Sequence, residues 1–423
     1  MRNIFKKSLI IAISAGVSTL SFQVQATNGY FAHGYGIKSK GMGGAGVALP
    51  QDSLAAATNP AGMVRVGNRF DVGAEIFAPD RTATTVWGTT GNAGPAATYD
   101  GNGDGFGEAY FLVPEMGYNK MINKNMSFGV SVFGNGGMNT SYTSPIFSRG
   151  ATCGGACATN TNTGVDLLQL FISPTISVKL DDKNSIGASV NIVYQSFEAT
   201  GMTDFGVGNN GHDGSYGVGF RVGWMGDLTK NVTAGFSYQP KTNMKPFDSY
   251  NTLFAEQGNF DIPANFAFGL AWKATPKMTL AFDAMRIDYS GVKSISNPNN
   301  FSVDGTATSA GFGWDDMEVY KLGASFQVNK DLVVRAGWNH GSQPIPAGET
   351  LFNVVAPATV EDHLTLGFTM NMKDGAELSG YYMHAFDNEV TGSQVGAAGG
   401  FAPGEAIIGM SQNAFGIAYG KKF

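Results

Sequence analysis

Few residues of this chain have the type and spacing to do chemistry, and the most promising are cations. Arg221, Lys321 and Arg335 each alternate with apolar neighbours, a period of two that turns them to the opposite face of a strand. A basic group on the inner face of a β structure can hold a carboxylate through a charge-assisted hydrogen bond, or it can pair with an acid of its own wall. Cys153 and Cys157, in Thr152-Cys153-Gly154-Gly155-Ala156-Cys157, are spaced for a small local disulfide in an oxidising compartment. No further His or Cys lies near them in sequence, so no metal site is expected there. His33, His212, His340, His363 and His384 are scattered without metal-ligand spacing. Gly41-Met42-Gly43-Gly44-Ala45-Gly46 has the glycine spacing of a dinucleotide loop, yet no strand precedes it and no βαβ unit follows. No serine sits in a nucleophile-elbow pentapeptide. These residues predict no catalytic group, no cofactor and no metal.

The elements that position the cations are strands. Ile186, Ala188, Val190, Ile192 and Tyr194 face away from Gly187, Ser189, Asn191 and Gln195. Tyr216, Val218, Phe220, Val222 and Trp224 oppose Gly217, Gly219, Arg221 and Gly223, and Leu364, Leu366, Phe368 and Met370 oppose Thr365, Gly367, Thr369 and Asn371. One face of each segment is greasy and the other is small or polar. A soluble sandwich would carry more Lys and Glu on its outer face, whereas a membrane barrel turns the greasy face to lipid and the polar face to its lumen. Mean hydropathy is only −0.06, which such alternation explains by averaging. There are 59 glycines, 30 phenylalanines and 15 tyrosines with 14% charged residues, and no apolar window after residue 26 is long enough for a spanning helix.

Turns give a second signal. Short polar connections at Asn119–Lys124, Asp181–Asn184, Asp227–Asn231, Ala274–Lys277, Asn329–Asp331 and Met372–Gly375 alternate with longer stretches near 80–106, 138–165, 201–214, 246–261, 289–312, 342–359 and 388–408. That is the turn-and-loop asymmetry of outer-membrane barrels, and it predicts fourteen antiparallel strands with both ends on the short-turn side. Residues 1–26 read as a signal peptide: Arg2, Lys6 and Lys7, an apolar core from Leu9 to Val17, then Val24-Gln25-Ala26. The net charge of −6 becomes more acidic once those cations are removed, and leaves no footprint for nucleic acid. Trp224 and Trp272, just before short turns, suit an interfacial aromatic girdle.

Residues 27–67 differ from the rest. Gly, Ala and Ser recur, no strand alternation is sustained, and the segment closes on Asn59-Pro60-Ala61-Gly62-Met63. Small residues let backbones approach closely, so this stretch reads as a plug within the barrel formed by 68–423. Asn28-Gly29-Tyr30-Phe31, the run Ser39 to Gly46, and Asn59-Pro60-Ala61 resemble the FadL family of outer-membrane transporters for hydrophobic compounds, and the resemblance covers the whole mature chain in strand order. It implies a fourteen-stranded barrel with an N-terminal hatch in a Gram-negative outer membrane. It also implies passive transport, foremost of long-chain fatty acids, or alternatively of monoaromatic hydrocarbons or related apolar compounds. An outer-membrane lipid enzyme or an adhesin is the reading from another class; the first would need a Ser or His constellation that is not found.

Several residues then acquire expected roles. Asn59, Pro60 and Ala61 make a rigid turn, and the resemblance implies that this motif belongs to a hatch that shifts. Gly134, Asn135, Gly136 and Gly137 predict a bulge or kink at the end of the third strand; in the family a kink there opens the wall sideways. Phe247, Tyr250, Leu253, Phe254 and Phe260 are expected either as an exposed capture site for greasy ligands or as the packing of their own loop. The 201–214 loop departs from the family, whose members have a longer helical segment that shares the surface groove. Phe423 closes an alternating strand of Phe415, Ile417 and Tyr419, which resembles the signal read by the outer-membrane insertion machinery. The expected partners are a hydrophobic small molecule, outer-membrane lipid and that machinery, with the chain a monomer.

Overall fold

The computed structural model describes residues 27–89, 92–93, 97–144, 146–147, 162–203, 206–300, 302–394 and 404–423. The expected signal peptide, 1–26, and the expected disulfide between Cys153 and Cys157 lie outside the described residues.

Fourteen antiparallel strands make one closed wall. They are β1 (Arg69–Thr89), β2 (Phe111–Asn123), β3 (Met126–Tyr142), β4 (Thr163–Lys179), β5 (Asn184–Thr200), β6 (Asp213–Asp227) and β7 (Val232–Gln239). The second half is β8 (Asn265–Thr275), β9 (Met278–Ile287), β10 (Met317–Gln327), β11 (Leu332–Gly341), β12 (Asp362–Asn371), β13 (Ala376–Gln394) and β14 (Gly404–Lys422). Each strand pairs with its neighbour in sequence, and β1 closes on β14 from Arg69↔Lys422 to Trp87↔Gly404. Closure removes the free edges an open sheet would have, which a bilayer requires because lipid cannot hydrogen-bond an exposed amide; the ladder is interrupted between the upper parts of β2 and β3.

The alternation read from sequence has its apolar side outward. On β12, Leu366 is 56% exposed while Thr365 beside it is 0% exposed. Ile186, Val190 and Ile192 of β5 are exposed, and Ser185, Ser189 and Asn191 are buried. Such an exterior is stable against hydrocarbon and not against water. The six short connections fall between the expected strand pairs, although β2 continues to Asn123 and leaves only residues 124–125 as its turn. Strands also run further into the long connections than the sequence pattern indicated: β3 and β4 stay paired to Tyr142↔Thr163 and β13 and β14 to Gln394↔Gly404.

Inside the wall lies the N-terminal segment, folded as α1 (Ile37–Lys40), short turns at Ala55–Ala57 and Pro60–Gly62, and α2 (Met63–Val66). Most of residues 27–66 are buried. The wall admits this backbone through inward-facing glycines. A Cβ at Gly337 would stand 2.0 Å from Gly43 N, one at Gly235 2.4 Å from Val47 O, and one at Gly187 2.3 Å from the Pro60 carbonyl carbon. Backbone atoms cannot yield as a flexible side chain can. Gly337→Val is therefore expected to unseat the hatch while the wall still closes; trypsin should cut at Lys38 and Lys40 although heat-modifiable migration in gels, which reports the barrel, is retained.

Candidate functional site

A polypeptide packed inside a barrel has no neighbouring strand, so its amides need other partners. Wall carboxylates supply them. Glu115 of β2 accepts from Gly36 N (3.2 Å) and Ile37 N (2.9 Å), and Asp283 of β9 accepts from Gly46 N (2.7 Å) and Val47 N (3.0 Å). Asp71 of β1 takes the amide and hydroxyl of Ser53 at 2.9 and 2.6 Å. Ion pairs reinforce this frame: Lys40 with Glu75 at 2.6 Å, and Lys38 with Glu377, which also holds Arg69 at 2.9 Å. Arg65 ties the last hatch helix to the turn end of β5 and β6 through Ser185 (3.0 Å) and Asp227 (2.8 Å).

The Asn59-Pro60-Ala61 motif is a capped turn. Asn59 is extended, its Oδ1 accepts from Ala61 N at 3.1 Å, and its Nδ2 donates to Val47 O at 2.8 Å and to Trp224 O at 3.0 Å. One amide side chain therefore closes the turn, braces the hatch and reaches the wall.

All three candidate cations point inward and are buried. Arg221 donates to Gln239 Oε1 (2.9 Å) and Thr58 O (3.4 Å), and Lys321 to His33 O (2.8 Å). Arg335 donates to Gln51 Oε1 (3.0 Å) and Thr369 Oγ1 (2.8 Å). Among the described residues, none of the three has a carboxylate at ion-pairing distance. Each holds a hatch oxygen instead. Arg221 and Lys321 line one cavity, whose other walls include Tyr35, Val47, Ala57 and Met285. Asn265 Nδ2 and Asp283 Oδ1, which belong to the same lining, are buried without a hydrogen-bond partner.

The glycine cluster forms the bulge expected of it. The β3–β4 register shifts between Gly134 and Gly136, leaving Asn135 as the extra residue. This lies within β3 and not at its end. On the other side of β3 the wall parts: β2 pairs with β3 only up to Met116↔Val132, and its Phe111–Glu115 pair with β1 alone. The hatch fills part of that gap. Phe31 bridges to Gly136, Ala32 N donates to Asn135 O (2.9 Å), and Gly137 N donates to Tyr30 O (2.9 Å). The Tyr35 hydroxyl reaches Asn135 Oδ1 at 2.9 Å.

Of the two roles expected for the rings of the 246–261 loop, the structure has packing: Phe247, Tyr250, Leu253, Phe254 and Phe260 are all buried, and the rings meet one another, Phe197 and Tyr30 in tilted and edge-on contacts. Water drives such rings together, and the loops between β7 and β8 and between β9 and β10 fold over the mouth to bury them. The void among Phe197, Leu253, Phe254, Phe312 and Phe352 amounts to about 10 Å³, room for little more than one water. Met202 and Val207 of the 201–214 loop join the same apolar cluster.

Sequence reasoning missed Glu115, Asp283 and Tyr289. The acids could have been found as charges on the polar face of an alternating strand. Tyr289, which accepts from Tyr30 N (3.1 Å) and donates to Asn28 O (2.7 Å), gave no such signal. It also missed His212, whose ring nitrogens lie 3.0 Å from Asp166 and 2.9 Å from Glu198. The hydrogen bond to Asp166 raises the imidazole above its ordinary value, with the charges of Asp166 and Glu198 acting the same way against partial burial.

Two outcomes follow. Asp283→Ala should leave the Gly46 and Val47 amides unpaired at about 1–3 kcal/mol each, so hydrogen exchange at those amides should speed up while exchange in the wall strands stays slow. Because the folded His212 has the higher pKa, its contribution is full below the unfolded imidazole value of about 6.5 and disappears as pH rises through the folded value. The protection factors of the loop ahead of β6, which remove the intrinsic rise of exchange with pH, should therefore fall over that range, and should not do so in His212→Gln.

The sequence matches the family model described as "Outer membrane protein transport protein (OMPP1/FadL/TodX)" over residues 17–419. No curated protein matches it. Among solved structures, it is similar to a Pseudomonas aeruginosa FadL homologue, with 18% identity, TM-score 0.71, and 93% of this chain and 100% of that one covered. It is also similar to the Pseudomonas putida toluene transporter TodX, at 19% identity and TM-score 0.67, covering 92% and 99%. The Ralstonia pickettii toluene transporter TbuX follows at 20% and 0.64, covering 92% and 99%. Identities this low speak for the shared fold alone.

Proposed function

The chain belongs to the OMPP1/FadL/TodX family of outer-membrane transport proteins, and from that premise we propose that it passes hydrophobic small molecules, foremost long-chain fatty acids, by passive diffusion through the hatch-filled barrel. The single observation that carries the cargo reading is the pair Arg221 and Lys321, two buried cations with no carboxylate at ion-pairing distance, beside apolar walls. Asp283 is the one carboxylate of that lining, set against two cations and bonded to hatch amides, and buried charge short of partners is costly. A fatty acid supplies a second anion; the closed cavity measures about 20 Å³, so its tail lies against Tyr35, Val47, Ala57 and Met285 once the hatch has given way. Both cations also hold hatch carbonyls, Thr58 O and His33 O, so a carboxylate that draws them away loosens the hatch. In this reading Asn59, Pro60 and Ala61 move with the hatch as one rigid piece.

Exit runs sideways between β2 and β3, past the bulge at Gly134 to Gly137. Release into lipid keeps apolar surface from water, at about 25 cal/mol per Å². Capture at the mouth requires the rings of Phe247, Tyr250, Phe254 and Phe260, with Leu253, to part. A monomer suffices because the wall closes on itself, and Phe423, exposed and stacked 5.8 Å from Tyr118, is free to be read by the insertion machinery. One observation favours a second cargo class, monoaromatic hydrocarbons such as the toluene carried by two of the structural neighbours: the aromatic cluster over the mouth needs no anion.

The test is uptake of labelled oleate and labelled toluene into cells lacking their own transporter of this type. Arg221→Leu combined with Lys321→Met should cut oleate uptake about tenfold, the scale of a lost charge-assisted hydrogen bond, and spare toluene. Undiminished oleate uptake would sink the carboxylate reading. Entry of toluene alone would favour the second class.

A further inference from the structure

The gap between β2 and β3 has an upper border, and one residue makes it. Arg81 of β1 is 1% exposed, stands above the level where β2 begins, and sends its guanidinium across the gap. It donates to Asn139 O (2.6 Å) and Asn139 Oδ1 (2.8 Å) on β3, to Asn102 Oδ1 and O (both 3.3 Å), and to Glu108 O (2.5 Å). Its charge also lies over the ring of Phe111, the first residue of β2, 5.7 Å from the centroid. The backbone repeats the link: Gly101 N donates to Arg81 O (2.8 Å), and Ser141 N donates to Gly101 O (2.9 Å). Arg81 thus touches both sides of the gap and the loop that crosses it.

Every one of those acceptors is a neutral oxygen, and among the described residues no carboxylate reaches ion-pairing distance. A buried guanidinium held this way is an expensive fixture for a strand connection that two backbone bonds already make. Its planar fork is suited to fixing several oxygens of separate segments in one geometry. We propose that Arg81 is a positioning residue for transport, the lintel of the lateral opening: it sets how far β2 and β3 can part and thereby the girth of cargo that leaves. The inference rests on the sideways-exit reading. The hatch contact at Gly136 closes the opening from within, whereas Arg81 limits it from above and does not move with the hatch.

The test uses the full-length protein in cells and two measurements. Spin labels at Tyr110→Cys and Thr143→Cys, in a background with Cys153 and Cys157 replaced by Ser, report the separation of the two sides. Arg81→Met should broaden that distance distribution toward longer values, and Arg81→Lys should do so less. Uptake of a bulky pyrenyl fatty acid relative to oleate should rise about tenfold in Arg81→Met, the equivalent of one lost charge-assisted hydrogen bond, with oleate entry itself retained. An unchanged distance distribution, or an unchanged uptake ratio in a protein with normal heat-modifiable migration, overturns the proposal. Deleting Asn135 removes the extra residue of the bulge and tests the exit separately. If that deletion transports like wild type, the exit reading fails; if it is inactive while Arg81→Met behaves as wild type, only the lintel falls.

Discussion

Backbone amides that enter a barrel lumen lose water without gaining a strand beside them, and an unpaired buried amide is costly. In this protein Glu115, Asp283 and Asp71 meet that need from the wall, each taking two donors of the hatch. The rest of the interior follows from it. With these carboxylates bonded to amides, none lies at ion-pairing distance from Arg221, Lys321 or Arg335 among the described residues, and the cations hold hatch oxygens. The hatch is held by these directional bonds together with buried apolar side chains such as Tyr30, Phe31, Ile37, Met42 and Leu54.

Phe133, Phe171, Phe197, Phe254, Phe260 and Trp314 belong to one large cluster under the loops. The mouth is closed chiefly by packed rings, and the hatch reaches that cluster through Tyr30 and Phe31 while hydrogen bonds tie it to the wall.

The wall departs from an ideal cylinder at one well-defined place. β2 starts late, β3 bulges, and the chain's own Tyr30 and Ala32 bond to Gly137 N and Asn135 O at the bulge. The hatch and the wall are thus joined by backbone hydrogen bonds at a place where the wall departs from regular pairing.

Much of this was legible in the order of residues. A period of two in Leu364 to Asn371, or in Ile186 to Gln195, says which side of a strand is greasy; short polar turns alternating with long loops number the strands; Gly134 to Gly137 announce a bulge. These are local properties, set by residues within a few positions of one another. What the residues could not say by themselves was which distant groups meet. Phe247 to Phe260 read as well for an exposed patch as for packing, and only the folding of separate loops over the mouth buries them. Arg81 is one cation among many until β1, β3 and the first long loop bring Asn139, Asn102 and Glu108 around it. Alternation assigns a side chain to a face, but partners across a lumen are chosen by closure of the barrel, and closure brings together residues that the chain keeps far apart.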